Sequence, residues 1–222
     1  MWAAHFVRIL AHTSAPLIYK LELHQEVRVT ELYDWNPMPH KVDVRCEHCG
    51  ELAVFEFAEV VKIEKKKDVP FFQQSKLFEY ALLSDSCGHR WHGAFFFQGL
   101  HRGINSISEL PDGYSTEDWQ HSKYSSRSHG YDLGSLSCNS CNTNKIHALE
   151  WPQEAFFSIE YKGQVLWAYN RESAMELYNF ISAAERKELK SKWGGFLLHI
   201  PTIFKTKKAR EPVAKKLRRL LF

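Results

Sequence analysis

Two short turns carry four of the five cysteines in this 222-residue chain: Cys46-Glu47-His48-Cys49-Gly50 and Cys138-Asn139-Ser140-Cys141-Asn142. Each places two thiols on one tight turn. Two such turns together supply the four sulfurs of a closed tetrahedral zinc site, so Cys46, Cys49, Cys138 and Cys141 are the expected ligands of one structural Zn2+. A single Cys-x-x-Cys turn also suits a redox pair, but two copies weaken that reading. The pairs are separated by 88 residues, whereas a compact ribbon separates them by roughly 15 to 20. Most of Glu51 to Ser137 must then be an insertion, or the pairs bind separate ions. Partners for separate ions exist in Cys87, His89 and His92, and in His48 and His147 beside the turns.

Composition sets the compartment and the class. At 44% hydrophobic residues the chain can bury a core without cross-links, so the metal organises one region only. No run approaches the roughly 18 apolar residues of a membrane helix, and the N-terminal residues show neither a basic leader nor a clean apolar stretch. The expectation is a cytoplasmic protein. Four paired cysteines and a fifth, Cys87, suit metal thiolates in a reducing compartment better than a disulfide framework. The net charge of +3 is uneven, because Thr202 to Phe222 holds eight Lys and Arg against the single Glu211. A local basic surface is therefore expected at the C-terminal end, on Lys205, Lys207, Lys208, Arg210, Lys215, Lys216, Arg218 and Arg219. That surface has two readings, an ordinary solvated face or a contact for nucleic-acid phosphates or an acidic protein partner. No membrane contact is expected, and the missing phosphate loop and Gly-x-Gly-x-x-Gly turn argue against a nucleotide cofactor.

The elements that must position these residues are unevenly legible. Pro16 to Val29 alternates as two strands, and Tyr33 to His40 reads as a connector into Val42-Asp43-Val44-Arg45. Ala53 to Ile63 reads as one long strand leaving the first turn. Phe71 to Leu83 is ambiguous between helix and strand, Ala94 to Gln98 is a strand candidate, and Gly99 to Ser137 has little period of any kind. Ala155 to Tyr161 and Gln164 to Ala168 form the best hairpin, turning at Lys162-Gly163. Asn170 can cap a helix with Ala174, Leu177, Tyr178, Ile181 and Ala184 on one stripe, which Gly194-Gly195 ends. A last helix starts with Pro212 in its first turn. The fold class is α+β: N-terminal strands and connector over 1–40, a β-rich zinc-ribbon domain over 41–169 with an insertion at about 64–137, and a C-terminal helical segment over 170–222.

Catalytic candidates are thinner. Six of the twelve histidines lie between His89 and His147, and His89, His92 or His101 with Glu109, Asp112 or Asp132 are the pairs a general acid–base site could use. No triad or paired-carboxylate spacing supports them, and an ordinary role on polar loops is the stronger reading. The segment Cys138 to Lys145 resembles the end of HNH endonucleases with interleaved zinc knuckles. That likeness implies a metal-dependent nuclease, with His89 or His101 and Asn105 as candidates for its catalytic half. No Asp-His or His-His dipeptide stands between the cysteine pairs.

A second resemblance rests on the two knuckles, on Leu166-Trp167-Ala168-Tyr169-Asn170-Arg171-Glu172 leading into a helix, and on Leu198-His199-Ile200-Pro201 before a basic helix. These stretches resemble poorly characterised bacterial zinc-ribbon-containing proteins with a ribbon like that of transcription factor IIB. The resemblance implies a zinc ribbon elaborated by C-terminal helices, with the four thiolates as ligands. It carries no catalytic residue. The function expected is a zinc-binding adaptor or interaction module.

Overall fold

The computed structural model describes residues 38–84, 87–119, 132–185 and 191–222; the strands expected over Pro16 to Val29 lie outside them. The central element is an antiparallel sheet of β1 (Lys41–Arg45), β2 (Leu52–Phe57), β6 (Leu133–Cys138) and β7 (Thr143–Ala148), in the order β1-β2-β6-β7. Strict alternation builds its inner face. Val42, Val44, Ala53, Phe55, Phe57 and Leu136 are buried in one cluster, while Lys41, Arg45, Leu52 and Val54 point outward and are exposed, the period-2 signature of a half-covered sheet.

Each Cys-x-x-Cys turn closes one hairpin of this sheet, β1–β2 and β6–β7. Because β2 and β6 are antiparallel neighbours, with Val54 opposite Ser137 and Phe57 opposite Gly134, both turns fall at the same end. The chain leaves β2 and re-enters β6 at the opposite end, where the Ala58 amide donates to the Leu133 carbonyl at 2.9 Å.

Between those points lies a second antiparallel sheet, β3 (Glu59–Lys62), β5 (Arg90–Phe96) and β4 (Phe78–Ser84), in the order β3-β5-β4. The single strand expected over Ala53 to Ile63 is thus two strands of different sheets. Residues 55–60 are all buried, Glu56 and Glu59 included, so burial runs unbroken through the switch at Ala58. The ambiguous Phe71 to Leu83 resolves into helix α1 (Val69–Gln74) followed by β4. The strand candidate Ala94 to Gln98 begins earlier, at Arg90, and ends at Phe96; α2 (Gln98–His101) follows. One face of the second sheet packs Val60, Leu83, Phe95 and Phe97 toward Leu133 and Ile146 of the first. The other face is closed by Val69 and Phe72 of α1, with Ile107 and Trp119.

At the junction of the two sheets, His40 is buried with one nitrogen 3.5 Å from Glu56 and the other 3.5 Å from Glu59. Gly99 sits directly over Ser135 and Glu56; a Cβ there would stand 2.3 Å from the Ser135 Oγ. Only glycine lets α2 come down so close.

The hairpin β8 (Ser158–Tyr161) and β9 (Gln164–Trp167) forms as its sequence requires, with Lys162 and Gly163 both at positive φ, the two-residue turn that matches strand twist. Helix α3 (Arg171–Ser182) is capped by Asn170, whose side chain accepts the Ser173 amide at 2.9 Å while the Ser173 hydroxyl accepts the Asn170 amide at 3.0 Å. Gly194 does not terminate this helix; it opens the short α4 (Gly194–Leu198), followed by α5 (Thr202–Lys205). The last helix, α6 (Lys207–Leu221), starts five residues before Pro212, because the Thr206 hydroxyl accepts the Ala209 amide at 3.2 Å and serves as its N-cap. Ala209, Val213, Leu217 and Leu221 bury against Ala174, Leu177 and Ile181 of α3 and, in the same cluster, against the inner face of the first sheet. The molecule over these residues is mixed α+β, with several antiparallel sheets and C-terminal helices.

Candidate metal centre

The β1–β2 turn is locked by two backbone bonds: the Cys46 amide to the Glu51 carbonyl and the Gly50 amide to the Cys46 carbonyl, both 2.8 Å. Gly50 then takes φ +77°, and the matching residue of the other turn, Asn142, takes φ +57°. Gly and Asn are the residues that enter this region at least cost. Both turns therefore reverse the chain in the same way just after their second cysteine.

The result is a cluster of four sulfurs, all within 4.8 Å of one another. Cys46 Sγ lies 3.7 Å from Cys141 Sγ, and Cys49 Sγ lies 3.6 Å from Cys138 Sγ. A tetrahedral ion with Zn–S bonds of about 2.3 Å separates its sulfurs by about 3.8 Å. The two cross-turn edges already have that length. None of the five cysteines is in a disulfide. Cys46 and Cys138 are buried, Cys141 is half-buried and Cys49 is exposed, so the cluster sits at the rim of the core, open on one side only.

Electrostatics point the same way. The Glu51 amide favours ionised Cys49, but desolvation and the crowding of the other three sulfurs overcome it and push that thiol up to about 12. The Thr143 hydroxyl, 3.0 Å from Cys141 Sγ, and then His48 hold Cys141 down to about 5. Four thiolates this close cannot all ionise without a cation among them, and a divalent ion supplies that charge. Around the sulfurs, Lys145 on β7 pairs with Glu47 in the first turn and so ties the turns together; Lys145 lowers the Glu47 pKa.

The remaining sequence candidates do not converge. Among the described residues, the four cysteines are the one group of three or more His, Cys, Asp or Glu able to hold a metal ion. Cys87 and His89 lie just before β5 and are not part of that group. His92 Nδ1 is 2.7 Å from the Tyr80 hydroxyl, and the His101 ring stacks on Phe96 at 5.6 Å. Asn105, Glu109 and Asp112 are exposed, and the Asp132 carbonyl accepts the Leu149 amide. His147 does not reach the sulfurs either; its Nε2 lies 2.9 Å from Glu154. The catalytic half of a nuclease is thus not assembled among these residues. What sequence reading missed is the support from Thr143 and the Glu47–Lys145 pair, for which the one available signal was the Cys-x-Thr spacing after Cys141; His48, named from sequence as a possible ligand, instead lowers the Cys141 pKa.

Of the eight predicted basic contact residues, Lys205 reaches the Leu198 carbonyl, Arg210 the Ala184 carbonyl and Lys216 the Glu160 carbonyl. Lys207, Lys208, Lys215, Arg218 and Arg219 are exposed on α6. No helix of the described residues is long and apolar enough to cross a membrane.

No protein-family model matches this chain, and neither curated proteins nor solved structures give a match. The class is defined by the site itself: an α+β protein with a four-cysteine centre able to hold a metal ion.

Proposed function

We propose that this protein is a zinc-organised interaction module, in which the ion is a scaffold and the work is contact with nucleic acid or a protein partner. The observation that carries the reading is the position of the four sulfurs at one end of two adjacent hairpins, close enough to fill a tetrahedral shell. Four thiolates leave no open coordination position for substrate or activated water, which separates a structural zinc from a catalytic one.

The zinc-ribbon reading follows from connectivity. Of the 88 residues between Cys49 and Cys138, the 75 at positions 58–132 belong to the excursion that leaves and re-enters at the far end of the β2–β6 pair. Thirteen residues remain, and a short turn joining β2 to β6 restores the spacing of a compact ribbon. The chain is then a ribbon carrying an inserted β-rich lobe, with helices packed beneath, in keeping with the likeness to bacterial zinc-ribbon-containing proteins.

The test is metal content against stability. Protein purified without chelator should carry one zinc per chain, and its Co2+-substituted form should show the intense visible bands of a tetrathiolate. Cys46→Ser should lose the metal and about 4 kcal/mol or more of stability, because binding energy of structural zinc is folding energy. A Cys46→Ser protein with unchanged zinc content and unchanged Tm sinks the proposal.

A further inference from the structure

We infer that the exposed ridge of α6 is a docking surface for the phosphate backbone of nucleic acid, which rests on the interaction-module reading and names its partner. Helix α6 buries Ala209, Val213, Leu217 and Leu221. At 100° per residue the opposite side is centred on Lys208, Lys215 and Arg219, flanked by Lys207 and Arg218. These five side chains are exposed, and among the described residues no carboxylate pairs with any of them. Glu211 is the single acid on the helix; it lies on the same exposed side, four residues from both Lys207 and Lys215, so the ridge is five cations around one acid.

Helix stability accounts for only part of this charge. Arg218 and Arg219 lie in the last turn, where cations oppose the negative end of the helix dipole. Lys207 and Lys208 lie in the first turn, where a cation meets the positive end and weakens the helix. Lys215 and Arg219 are like charges at i, i+4, which repel, and Glu211, four residues from both Lys207 and Lys215, offsets only part of the excess. An anion lying along the helix relieves the remainder.

Geometry selects among polyanions. From Lys207 to Arg219 the ridge runs about 18 Å at 1.5 Å per residue. Over that length one strand of duplex DNA presents about five phosphates. The ridge itself carries amines and guanidinia, groups that contact phosphates rather than base edges, and at its C-terminal end Phe222 is exposed. Beneath it, α6 shares a core with the metal-bearing sheet, which holds the ridge rigid.

The experiment is a fluorescence-anisotropy titration of the full chain with labelled duplex DNA, single-stranded DNA, single-stranded RNA and polyglutamate, repeated across salt. The variants are Lys208→Gln/Lys215→Gln/Arg219→Gln and, as an equal charge change elsewhere, Lys66→Gln/Lys67→Gln/Lys76→Gln. The parent should bind at least one nucleic acid with a steep salt dependence. The α6 variant should bind it roughly tenfold or more weakly, with a slope reduced by about 2 to 3 on duplex DNA. The control variant should bind like the parent, and all should keep their zinc and Tm. The nucleic acid bound most tightly identifies which backbone the ridge takes. The inference is overturned if no nucleic acid binds at low salt, if the α6 variant matches the parent, or if the control loses as much. Binding of polyglutamate alone also overturns it, while leaving the interaction module standing with an acidic protein as partner.

Discussion

Gly50 and Asn142 do the same job in the two turns, and a substitution at each separates conformational strain from packing. Nothing lies within 4 Å of a Cβ built on Gly50, yet its φ is +77°, so Gly50→Ala meets only backbone strain and should cost about 1 kcal/mol in chemical denaturation. Asn142→Gly should change stability by no more than a few tenths of a kcal/mol; a loss as large as that of Gly50→Ala would mean the Asn side chain itself supports the site. Asp43 poses a different question. Burial raises its pKa, and the Arg171 amide, 2.9 Å from its carboxylate at the start of α3, only partly counters this. A carboxyl with a raised folded pKa binds more protons folded than unfolded, so its contribution falls as pH rises from 3.8 through the folded value. Asp43→Asn should therefore gain most over the parent at pH 7, and that gain should vanish in acid, below the unfolded pKa. Thermal melts across pH check this, and an advantage that grows toward acid refutes it. The four clustered cysteines were legible because thiol pairs are rare and their spacing is chemical. Asn142 was not, since one Asn after a Cys carries no local mark of left-handed backbone.

At the scale of elements, the readable segments are those fixed by neighbours in sequence. Asn170 and Ser173 cap α3 through their own two side chains, and Lys162-Gly163 turns the β8–β9 hairpin within two residues. Asn170→Ala should cost about 1 kcal/mol, while Leu177→Ala, with Leu177 fully buried between α3, α6 and the sheet, should cost about 2 to 5 kcal/mol. Urea denaturation of both variants checks the order; equal losses would contradict the packing described. The elements that escaped are those decided by tertiary partners. The change of sheet at Ala58 is set by the Leu133 carbonyl, 75 residues away along the chain, and nothing local announces it. Thr206 starts α6 ahead of Pro212, whose position had suggested a later beginning.

Over the described residues, the sulfur cluster and the points where the chain leaves at Ala58 and returns at Leu133 lie at opposite ends of the β2–β6 pair. The β2–β6 pairing brings those two points together, and the sulfur cluster lies where the two hairpins close at the other end. This division fits the proposed roles of the sulfur cluster as scaffold and of the helical layer as contact surface. Chelation should accordingly lower Tm without first releasing the α3–α6 pair from the sheet, since both share one core. The most direct test of the account is the zinc K-edge absorption spectrum of the purified protein. Four sulfur scatterers at about 2.3 Å are the predicted result; a shell containing nitrogen or oxygen, or a position open to water, would contradict it.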